Sequence, residues 1–260
     1  MKKKAIVFIL ILSIGSALWA QEKLTLVLES LEYEIINGRS ITITGYTGNA
    51  ATLDIPAQIQ DLPVTAIGNN AFSEMEVFSR SSLASITIPS SVTEIGNSAF
   101  FYCSRLTSIT IPSSVRSIGD WAFFGCGSLT SITVDNRNPS YASIDGVLFD
   151  KNIRTIISYP AGKTARTYAI PSSVTEIGIG AFDWCSSLRG VTIPSSVTSI
   201  GGQAFSYCSS LTSITIPSSV TRIGERAFSD CSSLTSVTLS RRTQVGEYAF
   251  PANARITYSD

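Results

Sequence analysis

The sequence predicts a repeat solenoid of the leucine-rich type. This fold class has a parallel β-sheet on one face and irregular or short helical turns on the other, and here a β-hairpin caps the N-terminus. The main observation is a set of near-identical 23-residue copies, which begin at Leu83, Leu106, Ala165, Leu188 and Leu211. A fixed period of about 20 to 29 residues is typical of leucine-rich solenoids. Two further observations are a strand-and-stop pattern inside each copy and an Asn-Gly turn before the first copy.

Each copy reads as one coil that supplies one strand. In the copy that begins at Leu211, Ile214 and Ile216 are two residues apart, so both side chains point to the same side of a strand. Pro217 ends that strand because proline has no N–H to donate to a neighbour. Strands of successive coils are expected to pair in one parallel sheet. Counted from the first residue of a copy, the apolar positions are 1, 4, 6, 10, 13, 17, 18 and 21.

Segments outside the regular repeat define the predicted domain organisation. Residues 1–20 carry three lysines and then an apolar run, and they are predicted to be a signal peptide that is cleaved after Ala20. Residues 21–49 form the N-terminal cap, in which Asn37-Gly38 is the turn of a hairpin. Residues 50–253 are the solenoid, and residues 254–260 add a C-terminal cap strand.

The solenoid is interrupted at residues 129–164, where the 23-residue count is lost. Asp145-Gly146 lies between Ile144 and Val147, which predicts a second hairpin. The regular count resumes at Ala165. We therefore interpret this stretch as a modified repeat within the solenoid and not as a second domain.

Composition and charge exclude several partner classes. The chain has 260 residues, 19 basic and 19 acidic side chains, and no histidine. The charged residues that cleavage of the signal peptide removes are three lysines and no acidic residue, so the remaining protein is mildly acidic. This charge argues against nucleic acid as the partner. No segment after the signal peptide is long and apolar enough to predict a transmembrane span.

The copies resemble the BspA-like, or treponemal-type, leucine-rich repeats of bacterial surface proteins. The resemblance rests on the run Ile-Pro-Ser-Ser-Val-Thr-x-Ile-Gly-x-x-Ala-Phe-x-x-Cys, which recurs with small departures at 111–126, 170–185, 193–208 and 216–231. The insertion from Asp135 to Lys163 also resembles the modified repeat of such proteins. The resemblance implies an exported protein, secreted or at the cell surface, with an adhesin-like role in binding host extracellular or bacterial surface proteins.

The five cysteines share repeat position 21 and are candidates for a structural ladder. Equal spacing lines up their sulfurs on one corner of the solenoid, and free cysteine is among the most buried residue types. Disulfide or metal binding stays open as an alternative, although zinc needs ligands that converge from several directions. The cysteines are Cys103, Cys126, Cys185, Cys208 and Cys231.

Catalysis has little support in the sequence. Without histidine there is no Ser-His-Asp or Cys-His arrangement, and the carboxylates of Asp54, Glu94, Asp145 and Glu176 are scattered along the chain. A second acidic and amide-bearing set could ligate calcium by composition but matches no known loop spacing; it consists of Asp135, Asn136, Asn138 and Asp150. The sequence therefore predicts a protein without enzymatic activity, cofactor or metal.

Aromatic residues at variable repeat positions form the first candidate binding surface, which we call the aromatic edge. Positions 15, 16, 19 and 20 differ between copies, so the coil itself does not dictate their residues. Large aromatics there suit a recognition surface, or they pack laterally over neighbouring coils. The candidates are Phe101, Tyr102, Trp121, Phe124, Trp184 and Tyr207.

The outward side of the strands is the second candidate surface, the sheet face. Threonine recurs at position 5 and serine at position 3, which suits an exposed sheet because threonine has a high β propensity. The candidate residues are Thr110, Thr133, Arg166, Arg189, Thr192 and Thr215. A regular threonine array could also match ice or another surface, and a self-associating structural element of the bacterial envelope is a further alternative to the adhesin-like role.

Overall fold

A computed structural model of the chain describes residues 3–4, 27–74 and 82–259. Over these residues the chain winds into stacked coils whose equivalent positions pair in parallel, for example Ser131 with Ser108 and Thr133 with Thr110. The predicted leucine-rich solenoid is therefore confirmed. The predicted signal peptide, apart from Lys3–Lys4, lies outside the described residues.

The predicted strand of each coil forms the first row of the solenoid. Its middle residue is buried and its flanking residues are exposed in β7 (Ser85–Thr87) and β19 (Ser213–Thr215), as the two-residue spacing requires. The row comprises three parallel sheets. Its strands are β4 (Thr52–Asp54), β7 (Ser85–Thr87), β9 (Ser108–Ile111), β11 (Ser131–Val134), β15 (Thr167–Ala169), β17 (Gly190–Thr192), β19 (Ser213–Thr215), β21 (Ser236–Leu239) and β23 (Arg255–Tyr258).

A second parallel row, which the sequence did not predict, runs along another side of the coils. In the regular copies its strands contain only two residues, at positions 12 and 13, and the second of them is the core residue predicted at position 13. The strands are β3 (Ser40–Tyr46), β6 (Leu62–Ile67), β8 (Glu94–Ile95), β10 (Ser117–Ile118), β14 (Thr155–Ser158), β16 (Glu176–Ile177), β18 (Ser199–Ile200), β20 (Arg222–Ile223) and β22 (Gln244–Val245).

The ends of the described solenoid differ from its middle. Near the N-terminus, β2 (Leu31–Ile36) pairs antiparallel with β3 around Asn37-Gly38, and β1 (Lys3–Lys4) pairs with β2. Residues 27–30 form a helical turn, and β5 (Gln58–Ile59) pairs antiparallel with β6. At the other end β23 pairs in parallel with β21, but its residues are exposed.

The insertion contains the hairpin that Asp145-Gly146 predicts. β12 (Tyr141–Ile144) pairs antiparallel with β13 (Val147–Asp150), and both turn residues have positive φ, 50° and 77°. Leu148 packs in the N-terminal hydrophobic core, whereas Val147 and Phe149 pack in the C-terminal core. Since successive side chains of a strand point to opposite faces, β13 lies between the two cores and contributes side chains to both.

Stacked phenylalanines at position 18 form the centre of each core. Phe182, Phe205 and Phe228 lie nearly parallel, with ring centroids 4.7 and 4.8 Å apart. The N-terminal stack ends at Phe123, and the C-terminal stack begins at Tyr159, whose ring is 5.2 Å from that of Phe182. The described solenoid therefore consists of two stacks of coils, an N-terminal and a C-terminal one, which meet at the insertion.

Close packing of coils explains the glycine at position 14. A Cβ on Gly96 would lie 2.6 Å from the backbone nitrogen of Asn69 in the preceding coil. Gly224 likewise lies against the backbone of Gly201 and Gly202, so space and not backbone freedom requires glycine there.

Candidate functional site

Two residues in most regular coils adopt the left-handed backbone conformation, and they carry the most exposed part of the aromatic edge. This conformation costs a residue with a side chain about 1–2 kcal/mol, so glycine is the residue that suits it best. Position 16 is left-handed in Ser98, Trp121, Gly180, Gln203 and Arg226. Position 20 is left-handed in Tyr102, Gly125, Trp184, Tyr207 and Asp230.

The aromatic edge is continuous across the joint between the two stacks. Phe101 stacks on Phe124 with ring centroids 5.0 Å apart, and Tyr102 meets Trp184 edge-on at 5.8 Å. Trp184 in turn stacks on Tyr207 at 4.6 Å. Gly125 makes the contact across the joint possible because a Cβ there would lie 2.7 Å from the Tyr102 ring.

Members of the edge differ in how far they reach solvent. Phe124 is buried and supports the edge from beneath, and Phe101, Tyr102 and Trp184 are half-buried. Trp121 and Tyr207 remain 39% and 38% exposed. The exposure of Phe101, Tyr102, Phe124 and Trp184 fits lateral packing over neighbouring coils. Within the edge, only Trp121 and Tyr207 offer a partner a large aromatic area.

Polar groups at the edge complement its aromatic rings. The nearby carboxylate of Asp230 raises the pKa of Tyr207. The buried indole Nε1 of Trp184 has no acceptor among the residues that the structure describes.

Asp183 joins the two stacks, and its role was not found from the sequence. Its carboxyl group is buried and accepts a hydrogen bond of 2.6 Å from the N–H of Gly125, which lies 58 residues away. Burial raises the pKa of Asp183 to about 8. The one sequence signal is its place at position 19, where the two preceding regular copies have Phe101 and Phe124.

The five cysteines are buried and unpaired. Four thiols donate to the carbonyl of the phenylalanine in the preceding coil, as Cys103 does to Phe72 O at 3.0 Å. At the joint the pattern differs, since Cys185 lies 3.7 Å from Tyr159 O. Burial raises the pKa of Cys103, Cys126, Cys185 and Cys208, which keeps these thiols protonated.

The sheet face is polar and interrupted. Thr110, Thr133, Thr192 and Thr215 are exposed, and the hydroxyls of Thr110 and Thr133 lie 2.9 Å apart and hydrogen-bond to each other. The guanidinium-bearing Arg166 and Arg189 are exposed beside β15 and β17. The row is divided into separate sheets, so its threonines do not form one uninterrupted array.

The residues considered for calcium have local structural roles. Asn138 is buried; its amide donates to Pro112 O and Val115 O, and its oxygen accepts from the N–H groups of Ser140 and Tyr141. Asp135 pairs with Arg137 at 2.9 Å, which lowers the pKa of Asp135 to about 2. Asp150 accepts backbone N–H groups of its own turn, and Asn136 is exposed.

In residues 27–74 and 82–259 no three acidic or cysteine side chains come together as ligands for a metal ion. The same part of the chain contains no helix with the length and apolar character needed to cross a bilayer.

Comparison with known proteins identifies the family. The model of the BspA type leucine rich repeat region matches residues 71–169 and 161–259, with 6 copies. No curated protein matches the chain. A leucine-rich repeat protein from Eubacterium ventriosum has a similar fold, with a TM-score of 0.59 and 23% identity over 88% of this chain and 76% of that one. The pneumococcal vaccine antigen PcpA has a TM-score of 0.52 and 18% identity over 89% and 87% of the two chains.

These two similarities concern the fold alone, whereas the family match covers more than half of the chain. Leucine-rich repeat proteins mediate protein–protein interactions and are generally non-enzymatic. The chain belongs to the BspA-type leucine-rich repeat family, a family of bacterial surface proteins.

Proposed function

We propose that this chain is an exported, non-enzymatic binding protein that makes an adhesin-like contact with an extracellular or bacterial surface protein. The family assignment supports protein binding in general. The aromatic edge supports a specific location for it, because exposed aromatic side chains are enriched in protein interfaces.

The observation that carries the proposal is the conformation of Trp121 and Tyr207. Both residues have left-handed backbones, with φ of 55° and 58°, and both leave more than a third of the side chain in solvent. Gly180 and Gly125 occupy the same repeat positions in other coils with φ of 62° and 71°. The fold accepts glycine at these positions, and this supports a role in binding for the large aromatics there.

The test is binding of the signal-peptide-free protein to immobilised extracellular-matrix proteins and to bacterial cells. We expect saturable binding to at least one surface, reduced at least tenfold by Trp121→Gly combined with Tyr207→Gly. Tyr248→Gly is the matched control, since Tyr248 is also left-handed and exposed but lies in the last coil, away from the edge. Absence of saturable binding, or equal binding by the double variant, would remove the proposal.

Self-association is a second candidate because apolar side chains are exposed in the last described coil. Val245, Tyr248, Ile256 and Tyr258 are between 41% and 72% exposed. Exposed apolar strand edges favour pairing with another chain. If they mediate self-association, the measured mass will rise with concentration and Val245→Lys with Ile256→Lys will keep the protein monomeric.

A surface-binding role through the threonine ladder has weaker support. The hydroxyls of Thr110 and Thr133 satisfy each other, and the first row is divided into separate sheets. Inhibition of ice growth that depends on Thr192 and Thr215 would favour this third candidate over the other two.

A further inference from the structure

We infer that the cleft between the two stacks binds a short peptide segment of a partner protein, through its backbone and a basic side chain. This inference deepens the proposed protein-binding function, on which it rests, by naming the chemistry of the partner. The cleft has a volume of about 240 Å³ and lies between the turn that contains Asp120 and Phe123 and the coil that contains Glu176 and Ile179.

Regular coils show which hydrogen bonds such a position normally makes. The N–H groups at positions 16, 18 and 20 donate to carbonyl oxygens at positions 15, 17 and 19 of the next coil. In one example Ser98 N, Phe100 N and Tyr102 N lie 2.9, 2.8 and 2.7 Å from their acceptors. The same bonds recur in the C-terminal stack, from Gly180, Phe182 and Trp184. Each coil therefore presents three aligned donors to its successor.

At the cleft, two of the three donors lack an acceptor. The equivalent N–H groups belong to Trp121, Phe123 and Gly125, and the last of these donates to a carboxyl oxygen of Asp183. Among residues 27–74 and 82–259, no protein group accepts from Trp121 N or Phe123 N. Unpartnered backbone donors beside a cleft favour a ligand that supplies carbonyl oxygens at the spacing of a peptide.

Asp120 adds an acceptor to the same set. In the two preceding coils the side-chain oxygen at position 15 accepts the N–H of the next coil: Asn69 Oδ1 lies 2.8 Å from Asn97 N, and Asn97 Oδ1 lies 2.9 Å from Asp120 N. Asp120 has the third place in this series, and it lines the cleft. A bound residue could donate its N–H to the Asp120 side chain and accept the N–H of Trp121 with its carbonyl oxygen, as position 15 does in a regular coil.

Charge and shape select a basic segment. Asp120 and Glu176 line the cleft, and its described lining includes no lysine or arginine. The indole of Trp121 reaches across to Gly180, where a Cβ would lie 3.3 Å from Trp121 Cδ1. An aromatic face beside two carboxylates suits a guanidinium or an ammonium group. Ile179, 42% exposed, provides an apolar contact at the cleft.

The test follows backbone amide resonances of the whole protein during titration with acetyl-Ala-Arg-Ala-amide, up to about 5 mM. We expect saturable shifts of the Trp121 and Phe123 N–H signals, and at least tenfold weaker binding of acetyl-Ala-Glu-Ala-amide. Asp120→Asn keeps the oxygen acceptor that the preceding coils use and should weaken the arginine peptide about fivefold.

A blocking variant separates the cleft from the rest of the surface. Ile179→Arg places a competing cation beside Asp120 and Glu176 and should abolish the peptide-induced shifts. Glu225→Arg is its control, because Glu225 is exposed at the same repeat position of a regular coil. Unchanged Trp121 and Phe123 signals, equal affinity for both peptides, or binding unaffected by Ile179→Arg would each overturn the inference, as would shifts that appear with protein concentration alone.

The outcomes distinguish this inference from the proposed function. If matrix or cell binding is intact but insensitive to Ile179→Arg, the cleft assignment fails and the proposed function stands. If the peptide binds as expected but no matrix protein or cell is bound, the cleft assignment stands and the adhesin-like role fails.

Discussion

At the scale of single residues, the repeat tolerates side chains where its backbone prefers glycine. Positions 16 and 20 are left-handed, yet aromatic, polar and charged residues occupy them in different coils. Tyr102 and Trp184 use this conformation to pack along the edge, and Gly125 between them leaves room for both. At positions 16 and 20 the fold therefore fixes the left-handed backbone conformation but not the identity of the side chain.

Gly125 provides a direct check of this account. Gly125→Ala places a Cβ 2.7 Å from the ring of Tyr102 and keeps an unfavourable φ of 71°. We expect the free energy of unfolding to fall by about 2–3 kcal/mol in chemical denaturation. Gly127→Ala is the control, since nothing lies within 4 Å of the added Cβ; it should change stability by less than about 0.5 kcal/mol. Similar losses in both variants would contradict the account.

At the scale of elements, the insertion is ordered by a few buried contacts. β13 contributes side chains to both cores, and Asn138 ties the preceding loop to the carbonyls of Pro112 and Val115 in the coil before it. The hydroxyl of Tyr141 in β12 accepts the N–H of Ile118 in β10. It thus replaces the backbone acceptor that a further second-row strand would provide. The modified repeat thus ends one stack and begins the other.

Asn138 should therefore be important for stability. Asn138→Ala leaves two buried carbonyls and two N–H groups without their partner, and we expect a loss of about 2–4 kcal/mol in the free energy of unfolding. Asn136→Ala, at an exposed position two residues earlier, should be nearly neutral. If Asn138→Ala is also neutral, the loop is not held by this side chain.

Some of these elements could be predicted from the sequence and others could not. The first row and both Asn/Asp-Gly hairpins were predicted because alternation and turn chemistry are local signals. The second row was missed, since a two-residue strand such as Glu94–Ile95 has no alternating run to detect. The joint was missed because the partner of Asp183 is 58 residues away and depends on the shape of the insertion. The exposure of Trp121 and Tyr207, but not Phe124, likewise depends on neighbouring coils.

At the scale of the whole molecule, two stacks share one aromatic edge and one buried carboxyl group. Tyr102 of the first stack contacts Trp184 of the second, and Asp183 accepts the N–H of Gly125. The joint also creates the cleft, which Trp121 and Asp183 line. The interruption of the repeat thus gives this solenoid a cleft and contacts between non-successive coils that a uniform repeat would lack.

Stability across the joint should depend on pH through Asp183. Its pKa rises from 3.8 to about 8 on folding, so the folded protein holds a proton that the unfolded chain releases. Its contribution to stability is complete below pH 4 and is lost as the pH rises to 8, with a slope of at most about 1.4 kcal/mol per pH unit. Denaturant unfolding between pH 5 and 8 should show this loss relative to Asp183→Asn; parallel curves would contradict it.

The central claim is that Trp121 and Tyr207 serve binding and not folding. The most direct test measures affinity for the bound surface and the free energy of unfolding on the same samples of wild type, Trp121→Gly with Tyr207→Gly, and Tyr248→Gly. The account predicts that the double variant stays folded, losing less than about 2 kcal/mol because glycine suits both backbones, while its affinity falls at least tenfold and that of Tyr248→Gly does not. Unchanged affinity, or a fall in affinity explained by unfolding, would contradict it.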